Sequence, residues 1–100
     1  VTVEVRDNPD NRRFEAWLDG HLAGFAQYRR RPSAVVFTHT EVDPAYRGRG
    51  VAGVLASSAL ARVREAGEKI VVICPYIAGY LREHPEDQDL VLVRDGADTG

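Results

Sequence analysis

Apolar and polar positions alternate from Val1 to Arg6, the period of a strand with one buried face. Asp7-Asn8-Pro9-Asp10-Asn11 is a dense cluster of turn-forming residues that ends the run. The alternation resumes from Arg13 to Leu18, with Phe14, Ala16 and Leu18 on one face and Trp17 on the other. Asp19-Gly20, set between two such runs, predicts a tight hairpin. Leu22 to Arg30 reads as a third strand, closed by Arg31-Pro32-Ser33. Ala34 to Val42, rich in β-branched residues, reads as a fourth. Connections this short join antiparallel neighbours, so the first half of the chain predicts a four-strand meander.

After Val42 the period changes. Ala52, Leu55, Ala56, Ala59, Leu60 and Val63 recur at the spacing of one helical face. Gly67 stands where a helix C-cap needs left-handed backbone. Ile70 to Ile73 is a short, continuous apolar run, which marks a strand buried on both faces and parallel to the one before the helix. Cys74-Pro75 opens a second helix, since proline suits the first helical position. That helix runs to about Glu83, because Pro85 pushes His84 out of helical geometry. Leu90 to Val93 is a candidate last strand, and Arg94 to Gly100 reads as a frayed tail behind one domain spanning 1–93. The fold class is α/β, more strictly α+β: an antiparallel four-strand meander, one β-α-β parallel crossover and a second helix.

Composition narrows the function. One hundred residues hold a single domain with a modest core. No apolar run approaches the roughly 20 residues that span a bilayer, and no leader-like segment opens the chain, so a cytoplasmic protein without membrane contact is expected. Cys74 is the only cysteine, which excludes an internal disulfide. The net charge of -2 removes the electrostatic case for nucleic acid. Arg29-Arg30-Arg31 then reads as a solvated hairpin end, or as a contact for a phosphate or an acidic partner. No metal is expected.

Between the two halves lies a glycine-studded turn, Thr40 to Gly53. A helix start of this kind leaves backbone N–H groups without intrahelical partners, at the positive end of the helix dipole. Arg47 and Arg49 share the turn, so a phosphate or pyrophosphate is the simplest ligand. Gly48-x-Gly50-x-x-Gly53 has the dinucleotide spacing, but no second β-α-β half follows, and Glu68 falls ahead of its strand rather than at a strand end. No Gly-Lys-Ser/Thr follows either, which excludes a triphosphate-binding P-loop.

A second pattern on the same turn is Arg47-x-x-Gly50-x-Ala52. Thr38-His39-Thr40-Glu41-Val42 precedes it, and Cys74-Pro75-Tyr76-Ile77-Ala78-Gly79-Tyr80-Leu81-Arg82-Glu83-His84-Pro85 follows. With these segments the chain resembles the GCN5-related N-acetyltransferases, whose signature in this setting is Gln/Arg-x-x-Gly-x-Gly/Ala. The likeness is greatest to their minimal single-domain members and covers about residues 2–93. It implies the acyl-CoA N-acyltransferase (GNAT-like) fold, acetyl-coenzyme A as cosubstrate and an amine as acceptor. The chain lacks the extra helices and strands with which larger members build the acceptor pocket, so neither the acceptor nor the oligomeric state is specified. A non-catalytic module of the same fold, binding acyl-coenzyme A or a protein partner, is the alternative.

Residue by residue, the resemblance implies that the backbone of Arg47, Gly48, Arg49, Gly50, Val51 and Ala52 holds the pyrophosphate, and that the pantetheine arm pairs with backbone near Glu41 and Val42. Transfer to an amine needs a base, because an ammonium has no lone pair. Glu41 at the strand end and His39, whose reference pKa is ~6.5, share one strand face and are both candidates. Cys74, at a helix N-terminus that favours thiolate, would accept the acetyl group covalently or line the pocket. The resemblance gives the protonation of the leaving thiolate to Tyr80, with Tyr76 on the same helix face as a packing residue.

Overall fold

A computed structural model describes residues 2–92, so the tail expected over 94–100 and the end of the candidate last strand lie outside the described residues. β1 (Val3–Asn8), β2 (Arg13–Leu18), β3 (His21–Arg31) and β4 (Ala34–Val42) form the antiparallel meander. β5 (Ile70–Val72) joins β4 in parallel, giving the order β1-β2-β3-β4-β5. α1 (Val51–Glu65) makes the crossover, and α2 (Pro75–Glu83) follows β5. No described helix is long and apolar enough to cross a membrane.

Local chemistry sets these boundaries. Asp19 and Gly20 both have positive φ, as a two-residue hairpin turn requires. Gly67, at φ +71, closes α1: its N–H donates to Arg64 O and the Glu68 N–H to Val63 O, each at 3.0 Å. These two bonds satisfy carbonyls that the helix end would otherwise leave open.

Both helices pack on one face of the sheet. Leu55, Ala56, Ala59, Leu60 and Val63 of α1 and Ile77 and Leu81 of α2 share one core with Phe14, Tyr28 and Phe37. Each fully buried leucine there contributes about 1.5–3 kcal/mol. Val51 takes the core position expected of Ala52, which is left half-buried at the helix start. The Tyr28 hydroxyl donates to Asp7 Oδ1 at 2.5 Å, which ties the inner strand β3 to β1.

Two expectations fail at the sheet edge. Ile70–Ile73 is not a strand buried on both faces: β5 stops at Val72, and Ile73 is 62% exposed. The strand lies at the margin of the five-stranded sheet, with only Val35, Val36 and Phe37 as ladder partners. Leu90 to Val93 does not form a paired strand within the described residues. Pro85–Leu90 is a 3-10 turn, and Val91 makes a single parallel bridge to Ile70. Side chains hold that turn in place. Gln88 Nε2 donates to Leu81 O at 2.9 Å, and Arg64 pairs with Asp87 at 3.2 Å and Asp89 at 2.8 Å.

One irregularity matters for the site. Tyr28 pairs with Phe37 and Gln27 with His39, so Thr38 is an extra residue in β4, a bulge. Without it Phe37, His39 and Glu41 would share one face. With it, Phe37 stays in the core, His39 and Glu41 face away from the helices, and Thr40 and Val42 turn toward them.

Candidate active site at a gap between parallel strands

Just beyond the bulge, β4 and β5 part. Phe37 O accepts from both Ile73 N (2.9 Å) and Cys74 N (3.0 Å), and the ladder ends there. The Asp43 N–H donates to Ala23 O on β3. By two-residue alternation Glu41's backbone also faces β3, and the N–H and C=O groups of Thr40 and Val42 face the gap. No partner strand reaches them among the described residues.

Because β4 and β5 run parallel, α1 and α2 both begin at this end. The positive ends of two helix dipoles therefore flank the gap. α1 starts from Gly50 in left-handed conformation (φ +76), and its first internal bond is Val54 N to Gly50 O at 3.1 Å. The N–H groups of Val51, Ala52 and Gly53 therefore have no partner inside the helix. Gly48 is also left-handed (φ +79), and a Cβ at Gly48 or Gly50 would meet nothing within 4 Å. These glycines serve the backbone turn, and the cradle they form is open. Arg47 lines its cavity of about 220 Å³, together with Val42, Ala52 and Tyr76. Arg49 lies over the Tyr46 ring at 5.8 Å.

Two neighbouring cavities continue the cradle. One, of about 310 Å³, contains Phe25 and Glu41 and shares Val42 and Arg47 with it. The other, of about 450 Å³, contains Tyr80 and His84 and shares Gly53 and Tyr76. The result is one trough, from the end of β3 past the start of α1 to the face of α2.

The candidate bases are together. His39 Nε2 and Glu41 Oε2 lie 2.9 Å apart, both side chains exposed, with the His39 ring edge-on to Phe25 at 6.3 Å. Cys74 is on the other side of β4. It is 1% exposed, and its sulfur lies 3.3 Å from Thr40 Oγ1 where the strands part. Tyr76 is not a packing residue: it is 40% exposed and its hydroxyl borders Gly53 at the cradle. Burial, with the neighbouring Tyr80 and Glu83, raises the Tyr76 phenol above its usual value, so it remains a hydrogen-bond donor. Tyr80 lies one turn further on, its ring stacked on His84 at 3.9 Å. Arg29 to Arg31 are far from all of these: Arg31 pairs with Ala34, at the end of the β3–β4 ladder opposite Gly24 and Val42. Arg30 is tied to Glu68 at 2.8 Å.

Sequence reasoning missed Thr40, Phe25 and Gly24. Thr40 gave no signal, since its face depends on the bulge. Gly24 did: a lone glycine inside a strand marks close backbone approach, and here it faces Val42 across the ladder.

This geometry has known relatives. The profile of GCN5-related N-acetyltransferases matches residues 13–90. The chain is 38% identical over 90 residues to the protein NATD1 of Gallus gallus, covering 88% of this chain and 82% of that one. It is 44% identical over 90 residues to NATD1 of Danio rerio, with coverage of 88% and 82%. In fold it is similar to a GCN5-like protein of Staphylococcus aureus solved by NMR, with a TM-score of 0.68, 20% identity and coverage of 97% and 96%. It is also similar to the ribosomal-protein-alanine N-acetyltransferase of Brucella melitensis biovar Abortus, with a TM-score of 0.57, 24% identity and coverage of 83% and 63%. The chain belongs to the GCN5-related N-acetyltransferase family.

Proposed function

We propose that the chain is an acetyl-coenzyme A-dependent N-acetyltransferase acting on an amine by direct attack. One observation carries the reading: the open helix start of α1 and the unpaired backbone of Thr40 and Val42 meet at one end of the sheet, beside the His39–Glu41 pair. A pyrophosphate fits the cradle, which combines open N–H donors, a helix dipole and Arg47 with a floor clear of side chains. An extended amide-bearing arm fits the gap, because Thr40 and Val42 there present a strand edge with no partner. When bound, acetyl-coenzyme A supplies an activated acyl group.

The chain's residues divide the remaining work. Glu41 Oε2 takes the proton of the acceptor amine, and His39 Nε2, in contact with it, shares the charge. An N–H of β4 turned into the gap donates to the acyl oxygen as negative charge develops there. Tyr76 donates to the phosphate at the cradle. The Cys74 thiol, beside the Thr40 hydroxyl where the strands part, gives its proton to the leaving sulfur, a role the resemblance gives to Tyr80, and is reprotonated from solvent as Glu41 releases the amine's proton there. In this route the thiol of Cys74, held against Thr40, donates a proton rather than attacking the acyl carbon, and the acyl group passes straight to the amine.

Calorimetric titration with acetyl-coenzyme A tests the reading. Binding is expected, and Gly50→Trp should abolish it by filling the cradle, because no chain atom lies within 4 Å of that Cβ position. Absence of binding at millimolar ligand rejects the proposal. Binding without acyl transfer to any amine of a broad panel would make the chain a non-catalytic acyl-coenzyme A module.

A further inference from the structure

β3 outruns the strand beside it. The β2–β3 register ends at Arg13 opposite Gln27, and just past it Tyr28 N donates to Arg12 O at 2.8 Å. β3 continues to Arg31, paired there only with β4 on its other side. Backbone groups of a strand alternate between its two edges. Tyr28 donates toward β2, so the N–H and C=O of Arg30 face that side too, beyond the point where β2 begins. Among the described residues no strand or turn supplies them a partner. A cavity of about 610 Å³ opens over this overhang, lined by Pro9, Arg12, Tyr28, Arg29 and Arg30.

The charges here do not cancel. The Arg30 guanidinium is committed, 2.8 Å from Glu68 Oε2 and 4.0 Å from Asp7 Oδ2. Asp7 in turn accepts from the Tyr28 hydroxyl. Arg12 and Arg29 are exposed, and neither has an ion-pair partner among the described residues. No carboxylate of the described residues lines the cavity. A chain of net charge -2 therefore gathers two uncompensated cations at one open N–H.

Arg12 is also an unexpected residue for its backbone. It stands in left-handed conformation, φ 56 and ψ 50, at the end of the 3-10 turn Pro9–Asn11. Glycine or asparagine takes that conformation at less cost. The turn is bonded without the arginine side chain: Asn8 Oδ1 accepts from Asn11 N at 3.2 Å, and Pro9 O from Arg12 N at 3.1 Å. A solvated strand end accounts for exposed arginines, but not for one held in a left-handed turn.

We propose that this corner is a second anion site, which takes the dianionic phosphate of a phosphate monoester. Arg12 and Arg29 match its two charges with guanidinium forks, and the Arg30 N–H adds a third donor. The site is separate from the cradle. Gly24, which faces Val42, and Arg30 lie at opposite ends of the β3–β4 ladder, roughly 20 Å apart along the strand.

Amide NMR of the full chain reads the two sites separately. The titrant is inorganic phosphate at constant ionic strength and mildly alkaline pH, where it is dianionic. The Arg30 amide should shift on its own curve, distinct from that of Val51 to Gly53 in the cradle. Arg12→Gln and Arg29→Gln should each weaken phosphate at Arg30 about tenfold, the worth of a charge-assisted hydrogen bond. Neither should change the cradle's curve. Arg12→Gly should lose the same affinity while its melting temperature holds or rises, because glycine relieves the left-handed turn. Glycerol phosphate and a phosphoserine pentapeptide separate the sources of the group. Tighter binding of the first assigns the site to a small phosphate ester, and tighter binding of the second to a phosphorylated protein segment. The proposal is overturned if millimolar phosphate leaves the Arg30 amide unmoved, or if acetate moves it with equal affinity. Arginine variants that bind phosphate as wild type does also overturn it.

Discussion

Gly24→Ala probes the tight end of the β3–β4 ladder. A Cβ there would stand 2.6 Å from the Glu41 carbonyl oxygen, 3.2 Å from Val42 Cα and 3.3 Å from Val42 Cγ2. Ordinary contact begins at 3.4 Å, so the strands must part locally by 3.4 minus 2.6, or 0.8 Å. The two nearest atoms are backbone, and the ladder holds them in register from Gly24 opposite Val42 to Arg31 opposite Ala34. Overpacking of this sort costs about 1–3 kcal/mol. At roughly 4–8 °C per kcal/mol for a domain of this size, a fall in Tm near 10 °C is expected. The displaced residue, Val42, borders the cradle, so affinity for acetyl-coenzyme A should fall several-fold as well. Gly67→Ala is the control. Its φ of +71 makes alanine strained, but nothing lies within 4 Å, and it caps the far end of α1. That variant should lose about 1–2 kcal/mol and keep its affinity. Thermal melts and calorimetric titrations read both quantities. A Gly24→Ala protein with wild-type Tm and affinity would refute the reasoning.

Two more predictions follow from buried groups. Burial, with the hydrogen bond to Asp7 and the charge of that carboxylate, pushes the Tyr28 phenol up to about 12. The folded value exceeds the unfolded ~10, so this stabilisation is complete below ~10 and is lost as pH rises toward about 12. Tyr28→Phe should lose about 1 kcal/mol at neutral pH and show a flatter stability profile across that window. Denaturant melts at several alkaline pH values check this, and an unchanged profile rejects it. For Cys74, intact mass after incubation with acetyl-coenzyme A should show no acetyl adduct, and Cys74→Ala should retain acyl transfer at a reduced rate. An adduct that the variant lacks would establish the covalent route instead.

Much of the fold was legible because burial imposes a period. Alternation located four strands, and α1 announced itself through Leu55, Ala56, Ala59, Leu60 and Val63, all of them buried. Single residues with strong backbone preferences marked the ends: Asp19-Gly20, Gly67 and Pro75. The reading failed where neighbours decide. An apolar run such as Ile70–Ile73 carries no information on whether a strand will lie outside it, and Ile73 is left exposed. Pro85 ended α2 as expected, but the 3-10 turn after it depends on Arg64 reaching in from α1 and on Gln88, within the turn, donating back to Leu81 O.

The sequence by itself determined the turn that opens α1. Left-handed turns and an uncapped helix start are properties of a few consecutive residues, so Arg47 to Ala52 could be read as a phosphate site without tertiary knowledge. It also determined that His39 and Glu41 share a face, since both follow the bulge and alternation between them is intact. Only the tertiary structure decided which face that is. The extra residue Thr38 reverses the alternation between Phe37 and His39, turning His39 and Glu41 outward and Thr40 inward to Cys74. Tertiary structure likewise brought Tyr76 to the helix start beside Gly53, and Gly53 and Gly79 to the lining of one cavity. Those contacts join α1 to α2, and their geometry comes from how the two helices pack on a shared sheet face.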